Sequence, residues 1–355
     1  MMTSKATPPP VQKVLIIRLS AIGDIVMASG LIPALKQRFP SAQVFWLADV
    51  GLTSLLEDHT ELDAVIPWDK NAWRSLLKRG RLIALAREVL LLSKRLKEHD
   101  FDLVIDAQGL LKSGLLGWLS GAPKRVSFWG NEYGHLFSHE VLKRDFNDLR
   151  MSSEYRQIAD FLGCDDSDYK LGLMPSHNDR ILARELISDR DFDSSKPIVA
   201  VAPFTTRPQK HWPVHYWPEL IKRFVENGWR VVMLGGPTDY QLASSIESDA
   251  NVSDCLLNFV GKTSLIQSYA VIEQASALVG VDTGLTHMGV AANTPTVAIF
   301  GSTCPYLEPL SSKSIVIYEG LACSPCHRKP TCGGSHDCLS QITPQRAYES
   351  VEAML

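Results

Sequence analysis

Asp282, Thr283, Gly284 and His287 bring a carboxylate, a hydroxyl, a turn-forming glycine and an imidazole into one short stretch, ALVGVDTGLTHMGVAANTPTVAIFG, from Ala277 to Gly301. The apolar run ending at Val281 reads as a strand. Leu285, Met288, Val290 and Ala291 then recur at helical spacing, and Thr296 to Phe300 reads as a second strand. Strand, turn, helix and strand make the βαβ unit of a parallel sheet. Ligands of such sheets bind beyond the carboxyl ends of the strands, where these four residues fall. The N–H groups of Thr283 to Leu285 would open the helix, and helix N-termini attract phosphate. An anion or nucleotide site is expected here, with a helix cap at Asp282 and a turn at Gly284 as the plain alternative.

Three other loops are expected at the same sheet edge. After a strand at Ile198 to Ala202 comes PFTTRPQKHWP, in which Thr205, Thr206 and Lys210 are donors matched to phosphate oxygens. The strand Arg230 to Leu234 runs into Gly235-Gly236-Pro237-Thr238-Asp239, whose carboxylate suits a ribose hydroxyl. Val260-Gly261-Lys262-Thr263-Ser264 leads into a further helix and would set Thr263 beside a base.

The first half repeats the alternation. Val14 to Leu19 is a strand, Ser-Ala-Ile-Gly-Asp a loop, and Ile25 to Phe39 a single helix by its apolar spacing. Gly23 permits close approach of the backbone, and Asp24 becomes a carboxylate at the helix start, either a functional group or a cap. Strands at Gln43 to Ala48, Ala64 to Pro67 and Leu103 to Asp106, with helices near Leu82 to Lys97 and after Gly109, define a doubly wound α/β domain. Gln108 and Lys112 would lie at a strand's carboxyl end, within reach of a polar substrate. Between these elements Lys70, Arg74, Lys78, Arg79 and Arg81 surround Trp73, as a solvated helix face or a patch for an acidic substrate.

A chain of 355 residues should form two domains at roughly 100 to 200 residues each. The Asp- and Ser-rich segment from Ser188 to Lys196 precedes a fresh sheet. The expected division is 11–174, 175–340 and a C-terminal helix in 341–355, opened by Thr343 and Pro344 and crossing back to the first domain. A net charge of -3 argues against a general nucleic-acid binder. No apolar run spans a bilayer, and MMTSKATPPPVQK lacks the apolar core of a signal peptide, so a cytoplasmic protein is expected. Seven cysteines then read as reduced thiols. Cys323, Cys326, Cys332 and Cys338 follow C-x2-C-x5-C-x5-C, which suits a structural zinc or iron site as well as four free thiols. Neither G-x-G-x-x-G nor G-x-x-x-x-G-K-[ST] follows the first strand, which weakens a dehydrogenase or P-loop reading.

RLSAIGDIVMASGLIPALKQRFP, DLVIDAQGLLKSGLL, TTRPQKHWP and VGVDTGLTHMGVAANTPTVAIFGST resemble the bacterial lipopolysaccharide heptosyltransferases of glycosyltransferase family 9. The likeness is nearest to the heptosyltransferase I type, through Thr-Thr, Lys-His-Trp and Asp-Thr-Gly-Leu-x-His, and it runs over nearly the whole chain. It implies a GT-B fold, two Rossmann-like parallel-sheet domains facing a central cleft. It also implies an inverting transferase without a catalytic metal. The donor would be ADP-L-glycero-β-D-manno-heptose on the C-terminal side. The acceptor would be the Kdo region of a lipid A-type inner core on the N-terminal side, with peripheral contact at the cytoplasmic face of the inner membrane. Asp24 stands at the position of the family's catalytic base. Thr205, Thr206 and Lys210 match donor-phosphate contacts, and Asp282, Thr283, Gly284 and His287 match donor contacts. Asp239 replaces a ribose-binding glutamate, and Thr263 stands at an adenine-side position. The alternative is a nucleotide-sugar epimerase, or a transferase of another sugar, on the same fold.

Overall fold

A computed structural model describes residues 11–188, 195–252, 254–303, 305–326 and 329–355. Cys304, the three-proline start and most of the 188–196 segment lie outside them. The chain runs β1 (Lys13–Ile17), α1 (Ile22–Ala28), α2 (Leu31–Arg38), β2 (Gln43–Asp49), β3 (Ala64–Trp68), α3 (Lys70–Lys78), α4 (Leu82–Glu98), β4 (Leu103–Asp106), α5 (Leu111–Leu119), β5 (Lys124–Phe128), β6 (Glu140–Leu142) and α6 (Ser153–Phe161). It continues with α7 (His177–Ser188), β7 (Ile198–Ala202), α8 (Tyr216–Glu226), β8 (Arg230–Met233), α9 (Tyr240–Ala250), β9 (Leu256–Asn258), α10 (Leu265–Gln274), β10 (Ala277–Val281), α11 (Gly284–Ala291), β11 (Thr296–Phe300), β12 (Ser314–Tyr318), α12 (Asp337–Ser340) and α13 (Pro344–Glu352).

Two six-stranded sheets result, ordered β3-β2-β1-β4-β5-β6 and β12-β11-β10-β7-β8-β9. Every pairing is parallel. Counted within its own sheet, each follows the doubly wound order 3-2-1-4-5-6, which reverses between its first and fourth strands. The central strands are apolar along their length, as in IVAVA of β7 and ALVGV of β10, because helices cover both faces.

By contact the chain divides into two units that are not contiguous in sequence. The first holds Gly30–Asp145, Glu154–Tyr169 and the residues up to Ser20. The second holds Ala21–Ser29, Phe146–Ser153 and Lys170–Leu355, so α1 groups with the second unit although it follows β1 of the first sheet. The first core joins Leu15, Phe45 and Val104 to Leu92 and Leu96 of α4 and Leu116 of α5. The second joins Val199, Val231 and Val279 to Trp217 and Phe224 of α8 and Val351 of α13.

Two local features differ from expectation. The helix expected from Ile25 to Phe39 is broken at Ser29–Gly30, where a side chain at Gly30 would strike the Tyr169 ring and Ser29 Oγ donates to the Val26 carbonyl at 2.7 Å. The C-terminal helix, expected to cross to the first domain, instead packs on α8 of the second unit. Trp212 Nε1 donates to the Ile342 carbonyl at 2.8 Å and the Tyr216 hydroxyl to the Ser340 carbonyl at 3.0 Å, which ties the approach to α13 to that unit.

Candidate active site

β7 and β10 are neighbours, and their connections leave in opposite directions, so the second sheet's switch point lies between their carboxyl ends. Lys210 arrives there on a 3-10 turn, Pro208–Lys210, after β7; Asp282 is the first residue after β10. Lys210 Nζ lies 2.5 Å from Asp282 Oδ2 and 3.4 Å from the Asp282 carbonyl oxygen. Thr303 Oγ1 donates to the same carboxylate oxygen at 2.5 Å. The other oxygen, Oδ1, faces His287 Nε2 at 3.5 Å. Burial disfavours the charged form of Asp282, but the hydrogen bond and charge of His287, followed by the charge and hydrogen bond of Lys210, outweigh it and hold the carboxyl well below the usual range. An ammonium has three donors. Two reach Asp282, and among the described residues the third has no acceptor.

His287 sits on α11 and is itself buried. Its Nδ1 lies 3.0 Å from the Tyr306 hydroxyl. Burial, then the Asp282 carboxylate, pushes the Tyr306 phenol far up, so it stays neutral. A carboxylate at Nε2 favours the proton on that nitrogen and leaves Nδ1 to accept from Tyr306. α1 packs directly on this helix. A Cβ at Gly23 would lie 2.5 Å from His287 Cδ2, and one at Gly284 would lie 2.5 Å from Ile22 Cγ2. Glycine is therefore required on both sides of the contact, which brings the start of α1 beside the Lys210–Asp282–His287 group. Asp24 is the third residue of α1, half-buried, with Oδ2 accepting the Ala21 N–H at 3.0 Å. Asp24 is thus not the N-cap, the alternative expected for it: Ala21 is, and Asp24 binds the cap's N–H from the third position of the helix.

The remaining loops gather at the same edge with partners of their own. Asp239 Oδ2 accepts the Gly236 N–H at 2.8 Å, and Thr263 Oγ1 pairs with Ser268 Oγ at 2.8 Å. Gly261 N–H donates to the Gly235 carbonyl at 3.0 Å, joining the two loops, while Gly235 lies against the Phe204 ring next to Thr205. Thr205 is half-buried and Thr206 exposed; Thr283 and Gly284 open α11. Thr303 and Tyr306 have no counterpart in the sequence reading. A hydroxyl directly past β11 was the available signal for Thr303; Tyr306 lies in an irregular loop that offers none.

In the first unit Gln108 is buried, and its Oε1 accepts the Leu19 N–H at 3.1 Å, so it braces the loop after β1 instead of facing a substrate. Burial, then the charge of Lys70, depresses the Lys112 ammonium. The basic run expected as a solvated face or an acidic-substrate patch forms α3, which buries no residue. The metal envisaged at the cysteine cluster finds no support. Cys323 is exposed and Cys338 buried, all four thiols are free, and among the described residues no three His, Cys, Asp or Glu side chains converge on one point.

The model of glycosyltransferase family 9 (heptosyltransferase) matches residues 89–335, which include every residue of this group except those of α1. Lipopolysaccharide heptosyltransferase 1 of Pseudomonas aeruginosa is 28% identical, over 97% of this chain and 98% of the relative. Lipopolysaccharide heptosyltransferase 2 of Salmonella typhimurium is 29% identical over the same shares, so identity does not separate the two types. The solved structure of E. coli ADP-heptose LPS heptosyltransferase II superposes with a TM-score of 0.77 at 26% identity, covering 97% of this chain and 98% of that one.

Proposed function

This chain belongs to glycosyltransferase family 9, the heptosyltransferases, and from that premise we propose that it moves a heptose from ADP-L-glycero-β-D-manno-heptose to the Kdo region of a lipopolysaccharide inner core with inversion at the anomeric carbon. The observation that carries the reading is the Lys210–Asp282–His287 group, buried at Asp282 and His287 and half-buried at Lys210, at the second sheet's switch point beside the start of α1. A donor whose name carries ADP is said of a solved relative, and the site's chemistry suits such a donor here.

In this reading Lys210 offers its remaining N–H to the diphosphate, with the hydroxyls of Thr205 and Thr206 and the N–H groups opening α11 at Thr283 and Gly284. Asp239 accepts from the ribose, and Thr263 borders the adenine. An acceptor hydroxyl attacks the anomeric carbon from the face opposite ADP, the bond from that carbon to the β-phosphate oxygen breaks, and the hydroxyl proton passes to the Asp24 carboxylate. Charge gathering on the departing ADP is met by Lys210 and the α11 N-terminus, already in place before the reaction. No step uses a metal. The enzyme works at the cytoplasmic face of the inner membrane, where it meets its lipid-borne acceptor.

Release of ADP from ADP-heptose, followed with and without Kdo-bearing lipid A, tests the reading. Release that depends on the acceptor, with an inverted linkage in the product by anomeric NMR coupling, is the expected result. Release that ignores the acceptor would point to a hydrolase or epimerase and overturn it.

A further inference from the structure

Residues 70–98 contain nine Lys or Arg and two acidic residues, Glu88 and Glu98, in a chain whose net charge is -3. They form the hairpin of α3 and α4. Gly80, at φ 64, ends α3: its N–H donates to the Leu77 carbonyl at 3.1 Å and the Arg81 N–H to the Leu76 carbonyl at 3.0 Å, which closes the helix and turns the chain sharply into α4. That turn carries three aliphatic side chains into solvent: Ile83 is 90% exposed, Leu82 61% and Leu77 59%. Lys78, Arg79 and Arg81 are exposed between them. Along α4 the outward positions Arg87, Leu90, Leu91 and Lys94 continue the mixture at helical spacing, while Leu92 and Leu96 on the opposite side enter the core. A shallow groove lined by Leu90, Ser93, Lys94, Lys97 and Glu98 runs beside them.

Single exposed aliphatics are ordinary, but a contiguous cluster ringed by cations is not. We propose that the α3–α4 hairpin is a docking surface for an anionic phospholipid bilayer, with Leu77, Leu82 and Ile83 entering the headgroup boundary and Lys78, Arg79 and Arg81 pairing with lipid phosphates. The aliphatic stems of the basic residues lie along the apolar layer while their charged ends stay at the phosphates. Two copies of the hairpin would repel each other through the same charges, so the surface is poorly suited to self-association. Nucleic acid would leave the three aliphatics in water. The docking rests on the lipid-borne acceptor proposed above, and among the described residues no helix is long and apolar enough to span the membrane itself.

The test is co-sedimentation of the full chain with vesicles of phosphatidylcholine alone or mixed with phosphatidylglycerol. Wild type should sediment with the mixed vesicles only, and less as salt rises. Ile83→Asp should weaken binding severalfold, and Arg79→Glu with Arg81→Glu at least about tenfold. Melting temperatures should be unchanged, since these side chains touch no core. Equal binding to neutral vesicles, no binding at all, or binding kept by either variant would overturn the proposal, as would a concentration-dependent dimer that Ile83→Asp dissolves. Turnover of Ile83→Asp on acceptor dispersed in detergent separates the two readings. Retained turnover with lost sedimentation supports docking and transfer together, whereas sedimentation by a wild type without turnover removes only the transfer.

Discussion

Tyr306 sets the orientation of His287, and through it the far side of the Asp282 carboxylate. Tyr306→Phe leaves the buried Nδ1 without its donor, which costs about 1–3 kcal/mol; thermal unfolding should show it as a lowered melting temperature together with weaker donor affinity. Asp282 gives a pH signature. Its carboxyl is depressed in the folded protein, so the stability it contributes is fully present above its unfolded pKa near 3.9 and is lost as pH falls below about 4. Asp282→Asn should be less stable at neutral pH and lose stability less steeply in acid, as read by melting temperature across that range. A parallel acid slope in wild type and variant would contradict the ion pair. Much of this site is legible from residue types alone: Asp282 follows a strand directly, His287 lies in the first turn of the helix after it, and Lys210 sits in the loop between β7 and α8, each polar where packing has no use for it. What escaped is the link between them, because Tyr306 and Thr303 approach Asp282 and His287 from a loop without periodicity.

At the scale of elements, the meeting of α1 and α11 decides where Asp24 sits. It depends on two glycines. Gly23→Ala and Gly284→Ala should each destabilise by about 1–3 kcal/mol through overpacking and reduce turnover, whereas Gly51→Ala, with only a 3.7 Å neighbour, should do neither. Melting curves and initial rates on the three variants check this. β4 and β11 are visible in sequence because they are short apolar runs bounded by turn residues. β6 and β9 are three residues each, too short for any alternation to register. The break between α1 and α2 is legible after all: Pro33 has no N–H for the Ser29 carbonyl and its ring crowds that turn, which the apolar spacing alone passes over, while the contact of Tyr169 with Gly30 is a tertiary detail no local signal announces. Likewise the fate of α13 rests on where Trp212 and Tyr216 find carbonyl partners, a tertiary choice that a cap at Thr343 cannot announce.

For the molecule as a whole, two sheets with separate cores imply that unfolding need not be a single transition. Every donor-contact residue proposed above belongs to the second unit, as does Asp24. ADP at a hundredfold excess over its Kd should therefore stabilise the second unit's calorimetric transition by about 2.7 kcal/mol and leave the other in place; an equal shift of both would contradict the assignment. Although Asp24 and the donor contacts share a unit, they sit on different elements, α1 and the loops after β7 to β10, so binding and chemistry should separate by mutation. The most direct measurement is donor affinity by titration calorimetry and turnover on the same preparations of wild type, Asp24→Ala and Lys210→Ala. The account predicts that Asp24→Ala binds ADP-heptose as wild type does while turnover falls at least about a hundredfold, and that Lys210→Ala loses both. Wild-type turnover in Asp24→Ala, or undiminished affinity in Lys210→Ala, would contradict it.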